Sequence, residues 1–136
     1  MGKRGQVAME YMVVVAFVMM ITLPLIILFQ QSSNSFRDDI TAGHLQSVGQ
    51  KIIDAALSVS YLGAPSTTTL RVYMPEGVYN ASIGSREIVY TVQKDSGYDS
   101  IVLVSPVNIS GTLPVNQGIK LIKVEARTGY VWISSD

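Results

Sequence analysis

The residues of this chain whose types and spacing could do chemistry stand at its N-terminal end. Lys3 and Arg4 come first, then Gly5 and Gln6, then Glu10 and Tyr11 at the lip of a long apolar run. From Tyr11 to Phe29 the stretch YMVVVAFVMMITLPLIILF carries no charge. As a helix it would extend roughly 28 Å at about 1.5 Å per residue, close to the roughly 30 Å of a hydrocarbon core. Two cations ahead of such a run hold that end on the cytoplasmic side of a membrane. Glu10 is the odd residue. A carboxylate at the centre of a bilayer costs roughly 2.5 to 3.5 kcal/mol on insertion scales, and less near the edge. Glu10 therefore needs either a cationic partner or a headgroup-level position, where the N-terminal end of a helix dipole favours it.

Elsewhere the chemistry is sparse. The chain has no cysteine and one histidine, His44, so neither a disulfide nor a Cys/His zinc site is available. His44 reads as a solvent-facing helical residue. There is no G-x-S-x-G, no H-E-x-x-H, no phosphate loop and no paired-cysteine pattern, and the acidic residues are scattered among turns and helix faces. No enzyme activity, cofactor or metal is expected. Ten basic residues balance ten acidic ones over the chain, which gives no basic excess to suggest a nucleic-acid partner. Two sequons, Asn80-Ala81-Ser82 and Asn108-Ile109-Ser110, are candidate N-glycosylation sites if the C-terminal part is exported.

The elements that must position these residues follow from pattern. The 136 residues allow one ordinary domain plus one long helix. Residues 6–30 read as an apolar helix whose Val13, Val14, Val15, Met19, Met20, Ile21, Leu25, Ile26 and Ile27 cover every face, with Pro24 expected to kink or locally melt it. Composition changes abruptly at Gln30. In residues 31–63, Leu45, Val48, Ile52, Ile53, Ala56, Leu57 and Tyr61 recur at helical spacing, which predicts an amphipathic helix. Ser33, Asn34 and Ser35 read as a polar break or cap ahead of it, and Gly63 and Pro65 as its stop.

Residues 64–136 predict a β-rich head. Alternating, β-branched runs (TTLRVYM, GVYNASI, REIVYTVQ, SIVLVSPVNI, GIKLIKVEAR, GYVWISS) are separated by Pro75-Glu76-Gly77, Gly84-Ser85, Asp95-Ser96-Gly97, a loop from Gly111 to Gly118, and a tight Thr128-Gly129 hairpin. The expected fold class is α+β: a long N-terminal helix packed on a small antiparallel sheet or sandwich, with Trp132 in the core. The seven dispersed tyrosines read as sheet-packing residues.

An ordinary secretory signal would have a shorter apolar core and a small-residue cleavage site, and FQQSSNSF behind this run offers no A-x-A. A plain anchor fits the length but leaves Glu10 unexplained. The order KRG, then QVAMEY, then an apolar helix resembles the class III signal peptides of archaeal type IV pilin-like proteins. That resemblance implies a signal peptide at residues 1–5, cut by a prepilin peptidase between Gly5 and Gln6. Glu10 and Tyr11 fill the E-Y positions of a Q-x-x-x-E-[YF] pattern, and Ala8 stands where Ser is common. Lys3, Arg4, Glu10 and Tyr11 are thereby implied in processing and assembly, with Glu10 meeting the new amino terminus of its own or a neighbouring subunit.

The function implied is a structural subunit, major or minor, of an archaeal type IV pilus-like surface filament. Its partners would be copies of itself, the prepilin peptidase, the assembly platform with its ATPase, and the cytoplasmic membrane before assembly; no nucleic acid is indicated. Two other readings stay open: a single-pass membrane-anchored extracellular binding or sensor module, and an archaellum filament protein, against which the start GQVAMEY argues. The resemblance covers residues 3–30, and beyond them it is general architecture.

Overall fold

The computed structural model describes residues 2–94 and 97–135. The chain divides into two compact units, Met1–Arg37 and Asp38–Asp136. Helix α1 spans Gly2–Leu62, and seven strands follow: β1 (Thr67–Met74), β2 (Val78–Ile83), β3 (Glu87–Lys94), β4 (Gly97–Val104), β5 (Ile109–Gly111), β6 (Gly118–Arg127) and β7 (Tyr130–Ser135). A long N-terminal helix followed by seven described strands is the α+β class that the sequence patterning predicts.

In the first unit α1 is helical throughout, including Pro24 and the Ser33–Ser35 stretch. Pro24 has no N–H to give the Met20 carbonyl, yet the helix does not melt there. The expected polar break is also absent. Serine can spend its hydroxyl on the helix instead of capping it: Ser35 Oγ donates to the Gln31 carbonyl at 3.3 Å, the same i−4 contact that Thr22 Oγ1 makes with Val18 at 2.7 Å.

In the second unit the helix has a dry stripe. Leu45, Val48, Gly49, Ile52, Ile53, Ala55, Ala56 and Val59 are buried at i, i+3, i+4 and i+7 spacing. Tyr61, expected on that stripe, is 82 % exposed, and Val59 takes the place assigned to it. Gly63 ends the helix with φ +79° and donates its N–H to the Val59 carbonyl at 3.1 Å, closing the αL cap that only glycine enters without strain.

The strands form two sheets, one of order β1-β6-β7-β5 and one of order β2-β3-β4. Val72, Met74, Ile122, Val124, Val131 and Ile133 from the first sheet, Ile88, Tyr90, Val92 and Leu103 from the second, and the helix stripe share one core. The run SIVLVSPVNI, which reads as a single strand, is two. It breaks at Ser105-Pro106, so that β4 pairs with β3 while β5 lies in the other sheet, parallel to β7. Pro106 cannot donate to a ladder, and the buried Ser105 hydroxyl folds the corner by donating to the Val107 carbonyl at 2.8 Å. The parallel pair departs from an all-antiparallel expectation. Thr128-Gly129 does form the tight hairpin, with Arg127 paired to Tyr130 across it. Trp132 is not core: Val131 and Ile133 point inward, so the residue between them must face out. Of the proposed Asp95-Ser96-Gly97 turn, Asp95 and Ser96 lie outside the described residues, while Gly97 pairs with Lys94.

Candidate functional site

The residues singled out at the N-terminal end all lie on α1. Lys3, Arg4, Gly5, Gln6, Glu10 and Tyr11 are exposed and helical. Gln6 and Glu10 are one turn apart, and Gln6 Nε2 donates to Glu10 Oε1 at 3.4 Å, a long and weak bond. The carboxylate is thus aimed back toward the Gln6 end of the helix. Tyr11 follows at the point where polar sequence gives way to apolar, the depth at which aromatic rings with a polar tip settle at a membrane interface.

From there to Phe29 sixteen large apolar side chains stand exposed: Tyr11 to Val15, Phe17 to Ile21, Leu23, and Leu25 to Phe29. None of the most apolar stretch is buried within the unit, and the helix is long and apolar enough to cross a membrane. Covering a large apolar side chain is worth about 1.5 to 3 kcal/mol. Sixteen of them in water would cost on the order of tens of kcal/mol, more than the roughly 5 to 15 kcal/mol that holds a whole domain together. The segment is therefore a surface that demands a cover on all sides: lipid, or other helices equally apolar. The one hydroxyl within it whose bond is resolved, Thr22, is satisfied on its own helix, so it asks nothing of that cover.

The other candidates sit on the second unit. His44 is exposed, as expected, but not idle: its Nε2 lies 3.1 Å from the Tyr73 carbonyl on β1, and its ring meets the Tyr73 ring edge-on at 5.8 Å. It ties helix to strand, a contact that no spacing in the sequence announces. Asn80 is exposed on β2, an edge strand, beside a register shift between Val78 and Asn80. Asn108 is exposed in the corner before β5, its Nδ2 donating to the Gly129 carbonyl at 3.4 Å. Both sequon side chains are thus reachable from solvent. Among the described residues no three His, Cys, Asp or Glu side chains gather as a metal site would require.

Among the described residues Tyr90 is the one fully buried tyrosine, and its hydroxyl finds no hydrogen-bond partner among them. Burial holds that hydroxyl far above the usual phenol range, so it stays neutral. On the surface of the second sheet, Lys94 Nζ and Asp99 Oδ2 pair at 2.8 Å across β3 and β4. That hydrogen bond is the main cause that raises the Lys94 ammonium and lowers the Asp99 carboxyl, and Asp38 and Asp39 on α1 add to the Lys94 shift. The chain matches no protein-family model, no curated protein and no solved structure.

Proposed function

We propose that this chain is a structural subunit of a type IV pilus-like surface filament, made as a membrane-inserted precursor, cut between Gly5 and Gln6, and assembled through its apolar helix. One observation carries the proposal: a helix apolar on every face, interrupted only at its start by a carboxylate one turn from Gln6. Cutting before Gln6 would free an α-amino cation within reach of Glu10, and an ion pair of that kind offsets the cost of holding a carboxylate at the membrane edge.

The same helix serves two covers in turn. Lipid covers it before assembly. Parallel copies of itself cover it afterwards, when a segment with no polar face must be buried on all sides. Met12, Met19 and Met20 adapt to the irregular gaps of such a bundle. The β-rich unit then lies outside, where Asn80 and Asn108 are open to modification and the head is free to bind.

Expression in an archaeal host that makes such filaments tests the proposal. Wild-type chain should appear in the sheared extracellular filament fraction. Glu10→Gln should be processed normally yet remain in the membrane, because the neutral amide has no attraction for the new amino terminus. Equal recovery of both forms in membranes, with neither in filaments, would favour the alternative of a permanently tethered head.

A further inference from the structure

Beside the β6–β7 hairpin, three turns distant in sequence meet: the β2–β3 turn with Arg86, the corner with Pro106 and Asn108, and the hairpin itself with Arg127, Gly129 and Tyr130. They line a cleft of about 620 Å³, and a second depression of about 560 Å³ adjoins it, sharing Asn108, Gly129 and Tyr130. Together the two make an extended groove rather than a single pocket. Among the described residues no aspartate or glutamate lines either part, although the Glu87 side chain packs beside Gly84 at the edge of the second.

Both guanidiniums are held by neighbouring groups. Arg86 Nη2 donates to the Pro106 carbonyl at 2.8 Å, which uses one of its five N–H donors. Arg127 stacks 5.0 Å from the centre of the Trp132 ring and lies 3.7 Å from Glu125. Glu125 is also 4.0 Å from Lys123, so one carboxylate is shared between two cations and the neighbourhood keeps a positive excess. A guanidinium already fixed on one side loses little freedom when it grips a carboxylate with the other.

The rest of the lining selects among anions. The C-terminal end of α1, at Ser60 and Gly63, reaches the cleft and brings the negative end of the helix dipole with it. That end disfavours negative charge beside it, so carboxylates must lie at the two arginines and the uncharged parts of a ligand at the helix end. The Asn108 amide and the Tyr130 ring suit a ligand that has hydroxyls and a ring face as well as a carboxylate. We propose that this groove binds an acidic saccharide chain, one carboxylate per uronate unit, with Arg86 and Arg127 gripping carboxylates and Tyr130 and Asn108 contacting the sugar rings. The site lies on the β-rich unit and does not depend on filament assembly.

The test uses the full chain, made in a host that leaves Asn108 unmodified and held in a zwitterionic detergent free of sugar. The single tryptophan, Trp132, is stacked on Arg127 and serves as the reporter. Titration with oligogalacturonate should change its emission saturably, with calorimetry giving the same affinity. Arg86→Gln and Arg127→Gln should each weaken binding by about tenfold or more, the loss expected for one charge-assisted contact. Arg86→Lys, which keeps the charge, should lose less, and Lys51→Gln, exposed on α1 and outside the groove, should be unchanged. Absence of saturable binding would overturn the proposal. So would equal affinity for oligoglutamate, for inorganic phosphate or for neutral malto-oligosaccharide, or affinity indifferent to both arginine changes in proteins that still fold by circular dichroism.

Discussion

Gly49 of α1 packs against Leu103 and Tyr90 of the second sheet, and enlarging it should unseat the helix. A Cβ placed there would stand 2.8 Å and 3.0 Å from the two Leu103 methyls and 3.3 Å from Tyr90 Cε2. Leu103 and Tyr90 are both buried, so they have little room to retreat. Two effects compete. A non-glycine residue in a helix interior gains about 0.8 to 1 kcal/mol of propensity, while forcing carbon into a filled core costs typically about 1 to 3 kcal/mol. For Gly49→Ala the two nearly cancel, because one added carbon costs only the low end of that range. For Gly49→Leu three further carbons enter the same space, and overpacking should win by about 2 kcal/mol. Over a unit of this size that corresponds to a midpoint about 8 to 16 °C lower, at roughly 4 to 8 °C per kcal/mol.

Thermal unfolding of the full chain in detergent, followed by near-ultraviolet dichroism, reads the effect. Leu103→Ala alone should cost about 2 to 5 kcal/mol, but Gly49→Leu with Leu103→Ala should lose clearly less than the sum, since the new side chain fills the vacated space. Additive losses, or a Gly49→Leu protein as stable as the parent, would refute the seating of this helix on β3 and β4.

Other consequences follow from single contacts. Tyr90→Phe removes a buried hydroxyl with no partner among the described residues, so it should stabilise the β-rich unit by about 1 kcal/mol in a denaturant titration; a loss of stability would mean that the hydroxyl is satisfied. Gly111 has φ +137°, and a Cβ there would collide with the Ile133 backbone, so Gly111→Ala should detach β5 from β7 and lower stability by more than about 3 kcal/mol. The Lys94–Asp99 pair should stabilise between roughly pH 4 and pH 10. The lowered carboxyl gives a contribution that is lost as pH falls through its folded value, and the raised ammonium one that is lost as pH rises through its own. Asp99→Asn should flatten that profile and make it insensitive to salt, whereas an unchanged profile would show the pair to be without effect.

Much of this fold is written in local pattern. The apolar segment is legible because its composition is uniform and long, and the amphipathic stripe because its period repeats from Leu45 to Val59. What failed was decided by competition that pattern does not encode. Ser35 could cap or could bond back to Gln31, and only the continuation of α1 on both sides of it decides between them. Trp132 is apolar enough for a core, yet the strict alternation Val131-Trp132-Ile133 already placed it outside, so this signal was present and outweighed by residue type. The split at Ser105-Pro106 was marked by a proline inside a strand run, but that β5 would pair parallel to β7 was not.

The candidate sites divide the same way. Gly5, Gln6, Glu10 and Tyr11 form a contiguous pattern and could be found by reading along the chain. The grouping of Arg86, Asn108 and Arg127 could not, because three separate turns bring them to one groove and no spacing relates them. The link from His44 to the Tyr73 carbonyl is hidden for the same reason: the contact spans 29 positions.

The central claim is that the apolar helix is processed and then reused as the inside of a filament. It is tested most directly by the N-terminal sequence and intact mass of the protein recovered from sheared surface filaments. The account predicts a chain that begins at Gln6, with Met1 to Gly5 removed and Glu10 as its fifth residue. A chain that begins at Met1 or Gly2 and is found only in membranes would contradict it, and would make α1 a permanent tether for the β-rich head.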